Sequence, residues 1–70
     1  MIKLFNLKRI EDESKVSGIG IVAEGAEFSD GTCVLSWLTV MKSVAFYPNI
    51  KELERIHGHG GKTIIVWGGE

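Results

Sequence analysis

SVAFYPNIKELERIHGHGGKTIIVW, residues 43–67, is the stretch that decides the fold, because its hydrophobic pattern changes period twice. Residues 43–47 alternate at period two, which predicts a strand with Val44 and Phe46 on the same face. Residues 62–67 are again apolar and rich in β-branched side chains, which predicts a closing strand. In the segment that joins these two strands, apolar residues recur at helical spacing. We therefore expect a strand, a short helix and a strand in this order.

The middle of this stretch predicts a helix of about two turns. Asn49 is a good N-cap residue, and Glu52 follows three residues later, as in a capping box. Apolar side chains recur at helical spacing at Ile50, Leu53 and Ile56. We expect these three side chains to pack against a sheet.

The preceding part of the chain predicts three more strands, two of them joined by a clear hairpin turn. Asp30-Gly31 lies between two β-prone runs and predicts a two-residue turn, because both positions tolerate positive φ. Gly25 interrupts the alternation of the second strand, which predicts a bulge or a sharp bend. These strands are expected at residues 2–10, 18–28 and 32–38.

The resulting order of elements predicts a mainly β, small α+β fold in a single domain, residues 1–70. Five short strands in so short a chain favour a small five-stranded SH3-like barrel or a strongly bent antiparallel sheet, with one short helix between strands 4 and 5. An OB-fold is the alternative, but its helix usually falls between the third and fourth strands. The comparison with SH3-like barrels is an analogy of fold alone.

The single cysteine excludes an intramolecular disulfide and favours a reducing, cytoplasmic compartment. Cys33 shares one face of its strand with Leu35 and Trp37, so the thiol and Trp37 are expected in the core. The first residues lack the apolar core of a signal peptide, and no segment approaches the ~20 apolar residues of a membrane helix. We expect no contact with a membrane.

The glycine loop HGHGGKT, residues 57–63, contains residue types found at phosphate and metal sites. A phosphate loop needs a glycine five residues before Gly61, where this chain has Ile56, and it runs from strand to helix instead of helix to strand. His57 and His59 supply two imidazoles, but a structural zinc site takes four ligands. We therefore expect no metal and no cofactor here.

A structural corner is the simpler interpretation of this loop. Gly58 is a candidate left-handed C-cap, and the following glycines let the backbone reverse toward the sheet. A protonated His57 is favourable at the end of a helix, because cations suit the C-terminus. His59 is expected at the exposed tip.

No catalytic constellation is visible in the sequence. There is no nucleophile elbow of the form G-x-S-x-G, and the carboxylates of Glu11, Asp12 and Glu13 fall in an expected loop. Seventy residues also leave little room for a pocket of enzymatic size. We expect a protein that is not an enzyme, with no catalytic residues.

The first functional hypothesis is a small interaction module that binds a protein or peptide partner. Exposed aromatic side chains supply much of the affinity of interfaces, and a small core gains from self-association, so a homodimer is included. The candidate partner-binding residues are Tyr47, His57, His59 and Trp67.

The alternative is a nucleic-acid-binding small barrel, in which basic side chains contact phosphates and Tyr47 stacks on a base. The net charge of −1 disfavours it, because such proteins usually carry a basic excess. The basic residues that would have to cluster are Lys3, Lys8, Arg9, Lys42 and Lys62.

Several short motifs resemble a set of small proteins from archaea, actinobacteria and their phages. They are Ser17 to Gly25, Phe28 to Gly31, Trp37, His57-Gly58, and Gly61 to Thr63 followed by Trp67. The resemblance covers roughly residues 17–67. It implies a prokaryotic or phage setting and brings no activity and no functional residue.

Overall fold

A computed structural model of the chain describes residues 1–10, 20–38, 40 and 42–68, with His59 described by its backbone alone. These residues form five strands and one α-helix, which is followed by a short 3-10 turn at His59–Gly61. The expected charged loop at residues 11–15 and the last two residues lie outside the described part. The elements are β1 Lys3–Arg9, β2 Gly20–Glu27, β3 Cys33–Trp37, β4 Val44–Tyr47, α1 Ile50–His57 and β5 Thr63–Trp67.

The strands form one antiparallel sheet with the order β4-β3-β2-β1-β5. The mainly β architecture with the helix between β4 and β5 is therefore confirmed. Closure into a barrel is not, because β4 and β5 are the two edges of the described sheet and do not pair. The helix contacts both edge strands. The segment that joins β4 to β5 thus covers the sheet instead of bringing its edges together.

One face of the sheet and the helix enclose the core. Leu53 is fully buried, and Ile50 packs against the buried cluster, as expected. The expectation for Ile56 was wrong, because this side chain is 45% exposed. At about 100° per residue, His57 lies closer than Ile56 to the stripe formed by the other two side chains. The buried apolar residues are Phe5, Leu7, Val22, Ala23, Cys33, Leu35 and Leu53.

The irregularity of β2 lies at Val22 and not at Gly25, where we expected it. Leu7 pairs with Ala23 and Lys8 pairs with Ile21, so Val22 is the extra residue of a bulge. Val22 and Ala23 are consecutive and both buried, which regular alternation along a strand does not allow. The bulge therefore adds an apolar side chain to the core.

Gly25 has a different role, because it lies directly opposite Phe5 in the register of β1 and β2. A Cβ atom at Gly25 would clash with the Phe5 ring, with the Cζ atom as its nearest neighbour. The Phe5 ring thus occupies the space that a side chain would need. The glycine marks a close approach within the core, and no bend is required to explain it.

The hairpin between β2 and β3 has three loop residues, Ser29, Asp30 and Gly31, and not the two that we expected. The Phe28 N–H donates to the Thr32 carbonyl at 2.7 Å, and the Gly31 N–H donates to the Phe28 carbonyl at 3.0 Å. Gly31 has φ 93°, as in the three-residue loops that combine a turn with a left-handed residue. Asp30 closes the loop, because its Oδ1 accepts from the Thr32 N–H and hydroxyl at 3.0 and 2.6 Å.

The start of the helix has one expected and one unexpected feature, and its end differs from the expectation. Asn49 is the N-cap, and its Oδ1 accepts from the Glu52 N–H at 2.8 Å. The Glu52 carboxylate binds Arg55 through two bonds of 3.1 Å, so the capping box is only half formed. At the other end Gly58 is right-handed, with φ −69°, and not a left-handed C-cap.

The glycine loop is reversed by the glycines that follow Gly58, as expected. Gly60 and Gly61 have φ 64° and 95°, so these residues adopt the conformation that favours glycine. The Gly58 carbonyl then accepts from Gly61 and Thr63, which leads the chain into β5. The described chain contains no helix of the length and apolarity needed to cross a membrane.

Candidate protein-interaction surface

The edge strand β4 has unpaired backbone groups at two residues. The Trp37 N–H donates to the Ser43 carbonyl, and bonding pairs alternate along an antiparallel ladder. The backbone of Ala45 therefore faces β3, while the N–H and C=O groups of Val44 and Phe46 face away from the sheet. These four groups have no backbone partner within the described residues.

The same two residues expose apolar side chains on the sheet face opposite the helix, which we call the outer face. Val44 is 59% exposed and Phe46 is 76% exposed. The strand register places Phe46 opposite Val34, Val34 opposite Ala26, and Ala26 opposite Leu4. Leu4 is also 60% exposed. The outer face thus carries an apolar row that crosses four strands and ends at the open edge.

This edge is short, but it lacks the charged residues, the internal proline and the bulge that usually prevent strand addition. Val44–Tyr47 contains no charged residue and no proline, and its pairing with β3 has no register shift. Natural edge strands are commonly protected by lysines, prolines or bulges. Pro48 follows directly and only limits the length of the strand. The open edge is therefore short, uncharged and apolar.

The other edge strand, β5, is less open. The Gly68 N–H donates to β1, so alternation turns the backbone groups of Thr63, Ile65 and Trp67 away from the sheet. The Thr63 N–H is bonded to the Gly58 carbonyl, so one of the outward donors of this strand already has a partner. Thr63 is buried and Ile65 packs against the core. At this edge, two of the three residues with outward backbone groups have side chains in or against the core, and only Trp67 is exposed.

A cluster of three rings lies beneath β4 on the core face. The Tyr47 hydroxyl and His57 Nε2 are 2.7 Å apart and form a hydrogen bond. The His57 ring meets the rings of Trp37 and Tyr47 edge-on, at centroid distances of 5.0 and 5.6 Å. All three side chains are half-buried. The cluster joins the end of the helix to the edge strand.

The Tyr47 phenol in this cluster, and the Cys33 thiol near it, are both held in the neutral form. Burial raises the pKa of Tyr47, and the nearby Cys33 adds to that shift. The Cys33 Sγ lies 3.9 Å from the Tyr47 carbonyl oxygen, and burial followed by the charge of Glu27 raises the pKa of the thiol. Both groups therefore stay protonated at neutral pH.

The four candidate residues from the sequence do not form a single site. His57 and Tyr47 are brought together, but Trp67 lies on the opposite edge strand, with three strands between it and Tyr47. The His59 side chain lies outside the described part. Phe46, which the candidates did not include, is the most exposed aromatic residue in the described chain.

Trp67 borders a separate open cleft. It is 48% exposed, and its ring packs on Phe5 at a centroid distance of 5.4 Å. The cleft has a volume of about 500 Å³ and is lined by Lys3, Leu4, Glu27, Trp67 and Gly68. It opens at the start of β1 and the ends of β2 and β5, and it shares Leu4 with the apolar row.

The described side chains include no group of three or more His, Cys, Asp or Glu residues that could hold a metal ion. The five basic residues of the nucleic-acid hypothesis are also divided. Arg9 pairs with Thr63, and the Lys62 carbonyl accepts from Ile10, so the end of β1 and the start of β5 place basic residues together. Lys3 lies at the other end of β1, and Lys42 precedes the opposite edge strand.

The fold and this surface define a small, mainly β domain with one open, apolar edge strand. The chain belongs to the Acb5 phage protein family, whose model matches residues 2–69. This agrees with the phage setting that the sequence motifs implied. No curated protein and no solved structure matches the chain.

Proposed function

We propose that this phage protein is a non-enzymatic interaction module that binds a protein partner by strand addition at β4. One observation carries the proposal. Val44 and Phe46 combine outward-facing backbone groups with the exposed apolar side chains of the outer face. An extended segment paired with β4 would form hydrogen bonds with these backbone groups and would also cover the exposed side chains. Strand addition of this kind takes affinity from the backbone and specificity from alternate side chains.

The geometry defines what an added strand must look like. Residues that pair with Val44 and Phe46 would point to the outer face and extend the apolar row. Residues between them would point to the core face, beside Ala45 and Tyr47. The favoured partner segment is therefore extended and apolar at alternate positions, and it contains no proline at the positions that donate to β4.

The ring cluster has a supporting part in this proposal. The bond between Tyr47 and His57 ties the helix to the edge strand and holds β4 in a fixed position. Rigid presentation reduces the entropy lost on binding. Trp67 and His59 stay separate predictions as partner-binding residues. The single buried thiol of Cys33 supports a reducing cytoplasm as the place where the module acts.

A library of short random peptides displayed on phage tests the proposal without knowledge of the natural partner. The protein is immobilised and binders are selected, then measured against two variants. Phe46→Pro blocks the edge, and it removes no bond to β3 because the Phe46 N–H faces outward. Ile64→Lys is the matched control, because Ile64 is an outer-face residue of β5 whose backbone faces β1.

We expect selected peptides with apolar residues at alternate positions. They should bind the wild-type protein and the Ile64→Lys variant with similar affinity. Their affinity for the Phe46→Pro variant should be at least tenfold lower. Thermal melting verifies that both variants are folded. Peptides that bind Phe46→Pro as well as the wild type would refute strand addition at β4.

A further inference from the structure

We infer that the partner strand fitted by β4 is the β4 strand of a second copy of this chain. The inference rests on the proposed function and names its partner. It assigns a two-fold, antiparallel register in which Ala45 lies opposite Ala45 of the partner subunit. The result would be one continuous antiparallel sheet of ten strands, since each copy contributes five.

The backbone of β4 is self-complementary in this register. Val44 lies opposite Phe46 of the partner subunit, and Phe46 lies opposite Val44 of the partner subunit. Because the outward N–H and C=O groups belong to these two residues, each opposed pair exchanges two hydrogen bonds. The two-fold axis makes the contact isologous, with four bonds in total. None of the four outward groups of either strand is left unpaired.

The side chains fit the same register. The pair at the two-fold axis is a non-hydrogen-bonded pair, in which side chains approach most closely, and Ala45 is small. On the outer face Phe46 meets the partner's Val44, an aromatic and β-branched pair of the kind that stabilises sheets. The apolar row of one copy then continues into the other across the interface.

The charges near the strand do not oppose self-pairing. Val44–Tyr47 has no ionisable acid or base other than the Tyr47 phenol, whose raised pKa keeps it neutral. The register places Lys42 opposite Pro48 of the partner subunit, so the two lysines do not face each other. A strand of a different protein would need a matching sequence, whereas the second copy already has it.

The interface is small, so the association of the two copies should be weak. The strand has four residues, so the pairing should bury less than the ~1,200 Å² at which stable standard-sized interfaces begin. We therefore expect a concentration-dependent dimer with a dissociation constant of about micromolar or weaker. Wild-type protein should change from monomer to dimer across a micromolar to millimolar series in sedimentation experiments, and Phe46→Pro should stay monomeric.

Cysteine cross-linking tests the register itself, with oxidised glutathione as the electron acceptor. Opposed residues of a non-hydrogen-bonded pair have Cα atoms about 4.5 Å apart, within the range that a disulfide spans. Ala45→Cys should therefore form a disulfide-linked dimer. Val44→Cys is the matched control on the same strand, because its opposite residue is Phe46 of the partner subunit. The native Cys33 thiol is buried, so it should not compete in either variant.

We expect Ala45→Cys to cross-link at least tenfold faster than Val44→Cys, and the reduced variants to melt like the wild type. Equal rates for the two variants, or wild-type protein that sediments as a monomer at every concentration, would overturn the second-copy inference. Selected peptides that still bind β4 in that case would preserve strand addition with a foreign strand. Failure of both experiments would remove the proposed function as well.

Discussion

The Tyr47 hydroxyl and His57 Nε2, 2.7 Å apart, connect the last residue of β4 to the last residue of α1. This bond is the point at which the helix and the open edge strand meet. Neither residue is in the fully buried core, so their contact, and not apolar burial alone, positions the end of the helix. It also explains why His57 replaces Ile56 on the inward face.

Removal of this bond should weaken the domain modestly. Tyr47→Phe should lower the free energy of unfolding by about 0.5–1.5 kcal/mol, the usual net value of a side-chain hydrogen bond. His57→Gln should have a similar effect, and the double variant should lose less than the sum of the two. Urea denaturation of the four proteins measures this. Strictly additive losses would show that the two side chains act independently.

The helix should depend on Leu53 and not on Ile56. Leu53 is fully buried, so Leu53→Ala should cost about 2–5 kcal/mol and could unfold so small a domain. Ile56→Ala is the matched control, because this residue is on the same helix and 45% exposed. Its cost should stay below about 1 kcal/mol. Comparable losses in the two melting curves would contradict the orientation of the helix.

Gly25 and Phe5 should behave as a coupled pair. Gly25→Ala brings a methyl group within the space of the Phe5 ring, so it should destabilise the fold by about 1–3 kcal/mol through overpacking. Phe5→Leu should relieve part of that cost, so the double variant should lose less than the sum of the two single variants. Denaturation of the two single variants and the double variant measures the coupling. If the effects of the two substitutions were additive, the Phe5 ring would not occupy the space beside Gly25.

The hairpin should contribute a pH-dependent part of the stability through Asp30. The bonds from the Thr32 hydroxyl and then the Thr32 N–H lower the pKa of this carboxyl below its ordinary value of 3.8. A lowered folded-state pKa gives stabilisation that is present above the unfolded value and is lost as pH falls through the folded one. The loss should therefore occur below about pH 4.

Asp30→Asn removes the titrating group and keeps the loop residue polar. Its free energy of unfolding should vary less than that of the wild type across the acidic range, while at neutral pH it should be somewhat less stable. Thr32→Val should reduce the same pH dependence, because it removes the hydroxyl donor. Identical acid profiles for the wild type and Asp30→Asn would exclude this contribution.

Period-two alternation in the sequence was sufficient to assign faces where one face is more apolar than the other. It placed Cys33 with Leu35, and the Asn49 cap placed the start of the helix, because these signals are local. The bulge at Val22 could not be predicted, since it depends on the register with β1 and not on any turn-forming residue. Gly25 was misinterpreted for the same reason, because the Phe5 ring that fills its space is distant in sequence.

The candidate surface was harder to predict than the fold. Both faces of β4 are apolar, with Val44 and Phe46 on one side and Ala45 and Tyr47 on the other, so the pattern does not reveal which face is covered. Edge position depends on the order of all five strands, and a barrel would have removed the edge altogether. Phe46 was therefore overlooked, although its place beside Val44 was correctly assigned.

The amide groups of β4 provide the most direct measurement of strand addition. Proton–nitrogen correlation spectra of the labelled protein, recorded from micromolar to millimolar concentration, follow each amide separately, and hydrogen exchange reports its protection. The Val44 and Phe46 amides should shift and become protected as the concentration rises. The Ala45 and Tyr47 amides, already bonded to β3, should stay protected throughout. Association that leaves the Val44 and Phe46 amides exposed, or protects β5 instead, would contradict strand addition at this edge.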